Sequence, residues 1–118
     1  MLHVEDDTGV RQVTAALLTR AGYNVEGASD GEDAWSKIAP DLGAFDLIIT
    51  DCGMPFLSGL EFVKRVGERN FPGRKIVYSS GLNEAAMAEF LALGVDAVVQ
   101  KGTAARVLLS EVRRIMSL

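Results

Sequence analysis

The chain has 118 residues, of which 48% are hydrophobic and 24% charged, and its net charge is −4. This length fits one domain, which can bury roughly two-thirds of the surface that its unfolded form exposes, and the composition argues against disorder. No run of Lys or Arg occurs, so we expect no direct binding of nucleic acid, which would need a basic patch.

The N-terminal part of the chain alternates between strand-like and helix-like patterns. Residues 2–5 are short and apolar and read as the end of a first strand that is cut short at Met1. Residues 9–20 have the spacing of an amphipathic helix, which Gly22 would end. The residues at this spacing are Val10, Val13, Thr14, Leu17 and Ala21. Residues 23–28 favour a second strand.

The rest of the chain continues this alternation. Asp30 is placed to cap a second helix that runs through Ile38 and ends before Pro40. An apolar strand is predicted over residues 45–50. The later predicted elements are a helix over 60–68, a strand over 75–79, a helix over 84–93 closed by Gly94, a strand over 95–100 and a helix that Thr103 can cap and that reaches Met116.

These elements amount to five β/α units with short connections. Several of the strands are nearly continuous hydrophobic runs, which is typical of parallel strands covered on both faces. Because crossovers between parallel strands are right-handed, helices then lie on both sides of the sheet. We therefore predict an α/β fold with a doubly wound parallel sheet.

Polar residues collect where the predicted strands end. Open parallel sheets bind ligands beyond the carboxyl ends of their strands. The residues at those ends are Glu5, Asp6 and Asp7 after the first strand, Asp51 after the third, Ser79 on the fourth and Lys101 after the fifth. Two interpretations of the first group stay open, because Asp6 or Asp7 could equally cap the following helix.

The chemistry of these residues suggests phosphoryl transfer to an aspartate. Carboxylates from two neighbouring strands would repel one another, and a divalent cation resolves that conflict. Mg²⁺ prefers oxygen ligands and often shares them with a phosphate. Asp51 could act as a nucleophile that forms an aspartyl phosphate, while Lys101 stabilises the added negative charge.

Across nearly its whole length, the chain resembles the receiver domain of response regulators in two-component signalling. The matching residues are Val4, Glu5 and Asp6, the D-x-x-M-P-x-x-x-G pattern of Asp51, Met54, Pro55 and Gly59, the hydroxyl residue Ser79, and Gly94 seven residues before Lys101. Each motif alone is weak, and together they are specific. The resemblance implies a flavodoxin-like sheet of five parallel strands in the order 2-1-3-4-5, and one receiver domain over residues 1–118.

The resemblance also implies how a cation, Mg²⁺ or Mn²⁺, would be held. Asp51 and Asp6 would be direct ligands, and Glu5 would act through metal-bound water. Gly53, two residues after Asp51, would offer its backbone carbonyl. Asp7 lies one place beyond the acidic pair of the family and is not counted as a ligand.

The remaining implied roles concern the phosphoryl group. Asp51 would accept it, Ser79 would hydrogen-bond one of its oxygens, and Lys101 would pair with Asp51 or with the phosphoryl group itself. The chain departs from the family at Val98, where many members carry an aromatic residue, and at Gly102, where proline is usual. A cis bond before a residue other than proline costs about 2.5–4 kcal/mol, so we expect a trans Lys101–Gly102 bond.

The function that the resemblance implies is a signalling switch rather than a turnover enzyme. Its phosphoryl donor would be a histidine kinase or a histidine phosphotransfer protein, and phosphorylation would change partner binding. Ala15 and Leu18 could form a small apolar contact for that donor, and the last two helices could pair two copies of the chain. An interaction module without phosphorylation is the alternative. A phosphoester hydrolase is disfavoured because Gly53 cannot serve as a general acid.

The expected location is the cytoplasm. Cys52 is the only cysteine, so no intrachain disulfide can form, and a reducing compartment is expected. No apolar run approaches the ~20 residues of a membrane span and no signal peptide is apparent, so we expect no membrane association.

Overall fold

Strands and helices alternate along the chain, which this computed structural model describes over residues 1–54, 57–102 and 104–117. The β-strands within these ranges are β1 (Leu2–Val4), β2 (Glu26–Ala28), β3 (Leu47–Thr50), β4 (Arg74–Ser79) and β5 (Ala97–Gln100). The α-helices are α1 (Thr8–Arg20), α2 (Gly31–Ile38), α3 (Gly59–Glu68), α4 (Glu84–Ala92) and α5 (Ala105–Met116). One 3₁₀ turn, Leu42–Ala44, precedes β3.

The strands form one parallel sheet in the order β2-β1-β3-β4-β5, which confirms the predicted fold and strand order. β1 lies between β2 and β3, so the order of the strands reverses direction there. Binding sites of such sheets lie at the carboxyl ends of the strands beside this reversal. The topology therefore places a site above β1 and β3.

Helices cover both faces of the sheet, as predicted. On one face α1 and α5 pack through Leu18, Leu108 and Val112 against buried residues of β3, β4 and β5. On the other face α2 and α3 pack against β1 and β3, and Phe90 of α4 packs against Val77. Strand residues pointing to both faces are therefore buried, which explains their continuous hydrophobic runs.

Short polar side chains begin most of the helices. The side-chain oxygens that cap α1, α2, α3 and α4 belong to Asp7, Asp30, Ser58 and Asn83. Each accepts a hydrogen bond from a backbone N–H of the first helical turn, which would otherwise have no partner. The cap predicted at Asp30 is confirmed. Thr103 lies outside the described residues, and α5 follows Ala104, which makes no capping bond through its side chain.

Two details of the prediction are wrong, the extent of β2 and the exposure of Leu18. β2 spans three residues rather than the six of 23–28, because it is an edge strand whose partner β1 offers only Leu2–Val4 for pairing. On α1 the inward residues are Thr14 and Leu18, whereas Val13 is 67% exposed. The spacing of apolar residues along a helix does not fix how the helix is rotated on the sheet. Because Leu18 is fully buried, it is not available as a surface contact.

No described helix has both the length and the apolar character that a bilayer crossing requires.

Candidate functional site

Five of the predicted side chains meet at the carboxyl edge of the sheet. Glu5 and Asp6 follow β1, Asp51 follows β3, Ser79 ends β4 and Lys101 follows β5. Because these strands are neighbours in parallel register, their ends bring together residues that are up to 96 positions apart in sequence. The predicted set of side chains therefore lies in one place.

Asp51 is almost fully buried and its carboxylate is held from three sides. Its Oδ1 atom accepts hydrogen bonds from Ser79 Oγ at 2.6 Å and from the backbone N–H of Cys52 at 2.7 Å. Its Oδ2 atom accepts one from Lys101 Nζ at 3.1 Å. Burial alone would raise the pKa of Asp51, but the bonds from Ser79 and Lys101 outweigh it and lower that pKa. The carboxylate is therefore kept ionised at neutral pH.

Lys101 also binds the second buried carboxylate of the site. Its Nζ atom donates to Glu5 Oε2 at 2.7 Å, and Glu5 is only 2% exposed. Burial raises the pKa of Glu5 to about 7, against the opposing hydrogen bond from Lys101 and with a further rise from the nearby Asp51. Burial would lower the pKa of Lys101, but its bonds to the two carboxylates raise it, so this side chain stays charged.

The acidic side chains fit a divalent cation. One carboxylate oxygen from each of Glu5, Asp6 and Asp51 lies within 4.8 Å of the other two. Lys101 supplies one positive charge against these three groups, and oxygen donors of this kind are the ligands that Mg²⁺ and Mn²⁺ prefer. The arrangement can therefore accept a hard cation, with Asp6 exposed on the open side.

Asp7 and Gly53 flank this acidic cluster, and only Gly53 remains a predicted ligand. Asp7 is outside the cluster, because its Oδ1 atom accepts from the N–H of Val10 at 3.0 Å and caps α1. Gly53 lies exposed in the bend after Asp51, with no atom where a side chain would stand. The part of its carbonyl in cation binding stays a prediction.

We expect Glu5→Gln to stabilise the protein at pH 8 when divalent cations are removed. The pKa of Glu5 is about 7 in the folded protein against 4.5 in the reference state, so its contribution to stability is present below pH 4.5 and lost as pH rises through 7. This difference corresponds to about 3 kcal/mol, and glutamine carries no charge to lose it. Urea unfolding in EDTA should show a gain of about 2–3 kcal/mol at pH 8.

The pH dependence of this gain provides the control. At pH 5 the wild-type carboxyl is already protonated in the folded protein, so the advantage of Glu5→Gln should shrink below about 1 kcal/mol. A variant no more stable than the wild type at pH 8 would contradict the conclusion that burial outweighs the bond from Lys101 and raises the pKa of Glu5.

Residues beside the site lie where the sequence places them. His3 is buried in β1, its Nδ1 atom has no partner, and burial lowers its pKa to about 4, so it is neutral at pH 7. Val98 is partly buried against the cluster around Phe90. Tyr78 packs on the opposite face, with Lys101 Nζ 5.8 Å from its ring centre. The described residues contain no cis peptide bond, so the Lys101–Gly102 bond is trans, as predicted.

Two contributors to the site were not predicted. The backbone N–H of Cys52 donates to Asp51 and, at 3.3 Å, to Ser79 Oγ, and a backbone group leaves no trace in the residue type. Arg11 donates from Nη1 to the backbone carbonyl of Glu5 at 2.6 Å. Arg11 lies six residues after Glu5 and inside a helix. Helical periodicity alone would place its side chain in solvent.

Comparison with known proteins identifies the type of domain that carries such a site. The family model described as "Response regulator receiver domain" matches residues 1–113. The transcriptional regulatory protein DltR of Streptococcus agalactiae is 33% identical over 113 residues, which is 96% of this chain and 50% of that protein. The solved structure of the chemotaxis protein CheY4 of Vibrio cholerae is 31% identical, has a TM-score of 0.87, and covers 97% of this chain and 95% of that one.

The chain matches only part of its curated relatives. It spans half of the Streptococcus protein, and it spans 13% of the two-component response regulator-like protein PRR37 of rice, to which it is 32% identical over 98 residues. The activities and partners of those whole proteins therefore do not carry over to this chain.

Proposed function

We propose, since the chain belongs to the response regulator receiver domain family, that it is a switch set by phosphorylation of Asp51. The observation that supports this most directly is that the buried carboxylate of Asp51 is ionised. Asp51 is kept ionised in a buried position by Ser79 and Lys101, next to an acidic cluster that fits a divalent cation. A purely structural carboxylate would not need a neighbouring surplus of negative charge.

The reaction follows from these contacts. An oxygen of Asp51 attacks the phosphorus of a phosphohistidine on a histidine kinase or a histidine phosphotransfer protein. The new P–O bond replaces the P–N bond, and the imidazole leaves with the electron pair of that bond. Asp51, Asp6 and, through water, Glu5 would hold Mg²⁺, which would supply positive charge to the phosphoryl oxygens. The balance of charge is completed by Lys101, whose ammonium is already 3.1 Å from Asp51.

Ser79 has a second role once Asp51 carries the phosphoryl group. The hydroxyl of Ser79 donates to Oδ1 of Asp51 in the unmodified protein and would need a new acceptor if that oxygen carried the phosphoryl group. A phosphoryl oxygen is such an acceptor. Because Ser79 ends β4, this change alters the segment that leads into α4 and so changes the surface offered to partners.

The wider setting is part of the same proposal. Residues 1–118 would form one receiver domain, in the cytoplasm, without a nucleic-acid surface of its own. Exposed Leu91 on α4 and exposed Val107 on α5 support pairing of two copies through the last two helices. The domain would catalyse only its own phosphorylation and dephosphorylation and would not be a turnover enzyme.

The test is the intact mass of the wild-type protein after incubation with a small acyl phosphate or phosphoramidate. We expect a gain of one phosphoryl group with Mg²⁺ and at least a ~10-fold smaller yield with EDTA, because the charge on the attacked group is then not neutralised. A folded protein that binds Mg²⁺ and gains no mass would contradict the acceptor role. A protein that binds no Mg²⁺ either would instead favour an interaction module.

A further inference from the structure

We propose that Arg11 is a positioning residue for divalent-cation binding, because it fixes the peptide that joins Glu5 to Asp6. This inference rests on the cation site of the proposed function. It assigns to α1 a part in the site beyond packing on the sheet.

The contact that carries the inference is a hydrogen bond to the main chain. Arg11 Nη1 donates to the backbone carbonyl oxygen of Glu5 at 2.6 Å, in a partly buried position. That carbonyl belongs to the peptide unit between Glu5 and Asp6. Because a peptide unit is planar, holding its oxygen fixes the direction in which the chain enters Asp6. A charged donor makes such a bond stronger than a neutral one.

Glu5 needs no further support from Arg11, whereas Asp6 does. The N–H of Glu5 donates to the carbonyl of Ala28 at 2.9 Å, and its carboxylate accepts from Lys101 at 2.7 Å. Glu5 is thus already held at its backbone and at its side chain. Asp6 is exposed, and the peptide that Arg11 holds is the one through which the chain enters Asp6.

The Arg11 side chain packs against the neighbouring strand, β2. A β-carbon added to Gly27 of β2 would stand 3.1 Å from Cδ and 3.5 Å from Cγ of Arg11. The methylene groups of Arg11 therefore lie directly against the bare backbone of Gly27. The N–H of Arg11 is fixed as well, by the carbonyl of Asp7 at 2.9 Å.

Whether cation affinity rises or falls when Arg11 is replaced distinguishes a positioning role from an effect of its charge. A guanidinium close to a cation site repels the cation, so removal of its charge alone would strengthen cation binding. Loss of the hydrogen bond to Glu5 would weaken binding instead, since groups that orient metal ligands commonly contribute about 10-fold or more to metal affinity.

The experiment is calorimetric titration of Mg²⁺ into the wild type, Arg11→Gln and Arg20→Gln. Arg20 lies in the last turn of the same helix and is exposed, so it controls for the change of net charge. We expect Arg11→Gln to weaken binding about 5- to 10-fold and Arg20→Gln to change it less than about 2-fold. Binding by Arg11→Gln that equals or exceeds that of the wild type would overturn the proposal.

Two further variants decide the matter if Arg11→Gln fails to fold. Gly27→Ala keeps the charge of Arg11 but crowds its methylene groups, and Arg11→Lys keeps the charge but loses the planar, multi-donor head. Both should weaken Mg²⁺ binding at least about 2-fold, and unchanged affinity in both would refute the role. If the wild type itself binds no Mg²⁺, the cation site is refuted and the role of Arg11 with it. This outcome is distinct from a wild type that binds and variants that match it.

Discussion

Asp51→Asn is expected to abolish phosphoryl incorporation while the protein stays folded. The substitution preserves the size of the side chain, and the amide oxygen can still accept from Ser79 and from the N–H of Cys52, as the carboxylate does. An amide, however, lacks the ionised oxygen that attacks phosphorus. With Mg²⁺ and a small phosphoryl donor, intact mass spectrometry should show a yield at least about 100-fold below that of the wild type.

A matched control tests whether loss of any carboxylate near the sheet has the same effect. Asp46 precedes β3 at the opposite end of the strand from Asp51, and its side chain is 72% exposed. Asp46→Asn should be phosphorylated like the wild type. If Asp51→Asn gained a phosphoryl group at a comparable rate, the acceptor would be another residue, and peptide mapping would show whether it is Asp6 or Asp7.

Gly59→Ala is expected to destabilise the protein by about 3 kcal/mol, because it forces α3 away from Asp51. A β-carbon at Gly59 would stand 2.0 Å from the carbonyl oxygen of Asp51 and 2.9 Å from Cα of Cys52. Both are main-chain atoms, so no side chain can rotate to relieve the overlap. The N–H of Gly59 also donates to the carbonyl of Cys52 at 2.9 Å, and this bond would be lost as α3 shifts.

Gly67→Ala in the same helix is the natural control. No atom lies within 4 Å of a β-carbon at Gly67, and alanine favours helix over glycine by about 0.5–1 kcal/mol. Urea unfolding should therefore show opposite changes for two Gly→Ala substitutions in one helix. A cost below about 1 kcal/mol at Gly59 would mean that α3 can shift with little loss of packing.

The order of the elements was predictable because local patterns and global topology agree in this chain. Continuous apolar runs marked the strands, short polar residues such as Asp30 marked a helix start, and glycines such as Gly22 and Gly94 marked helix ends. The end of β2 towards Tyr23 was not predictable, because pairing at an edge depends on the length of the partner strand. The exposure of Val13 depends on how α1 is rotated on the sheet, which its own sequence leaves open.

The side chains of the site were predictable for a different reason. In a parallel sheet, all strand ends of one kind lie at one edge, so charged residues at those ends are neighbours in space whatever their separation in sequence. This argument finds Asp51, Ser79 and Lys101. It cannot find the N–H of Cys52, which any residue would offer, or the guanidinium of Arg11, which reaches the site from within a helix.

The main chain at Asp51 is held by contacts with Val4, Thr50 and Gly59. The N–H of Asp51 donates to the carbonyl of Val4 at 3.0 Å, and its own carbonyl accepts from Thr50 Oγ1 at 2.9 Å while Gly59 presses against it. These contacts anchor the end of β3 against displacement by a charge added to the Asp51 side chain. If Asp51 is phosphorylated as proposed, we expect movement in the elements with weaker main-chain anchoring, with the sheet as the fixed frame.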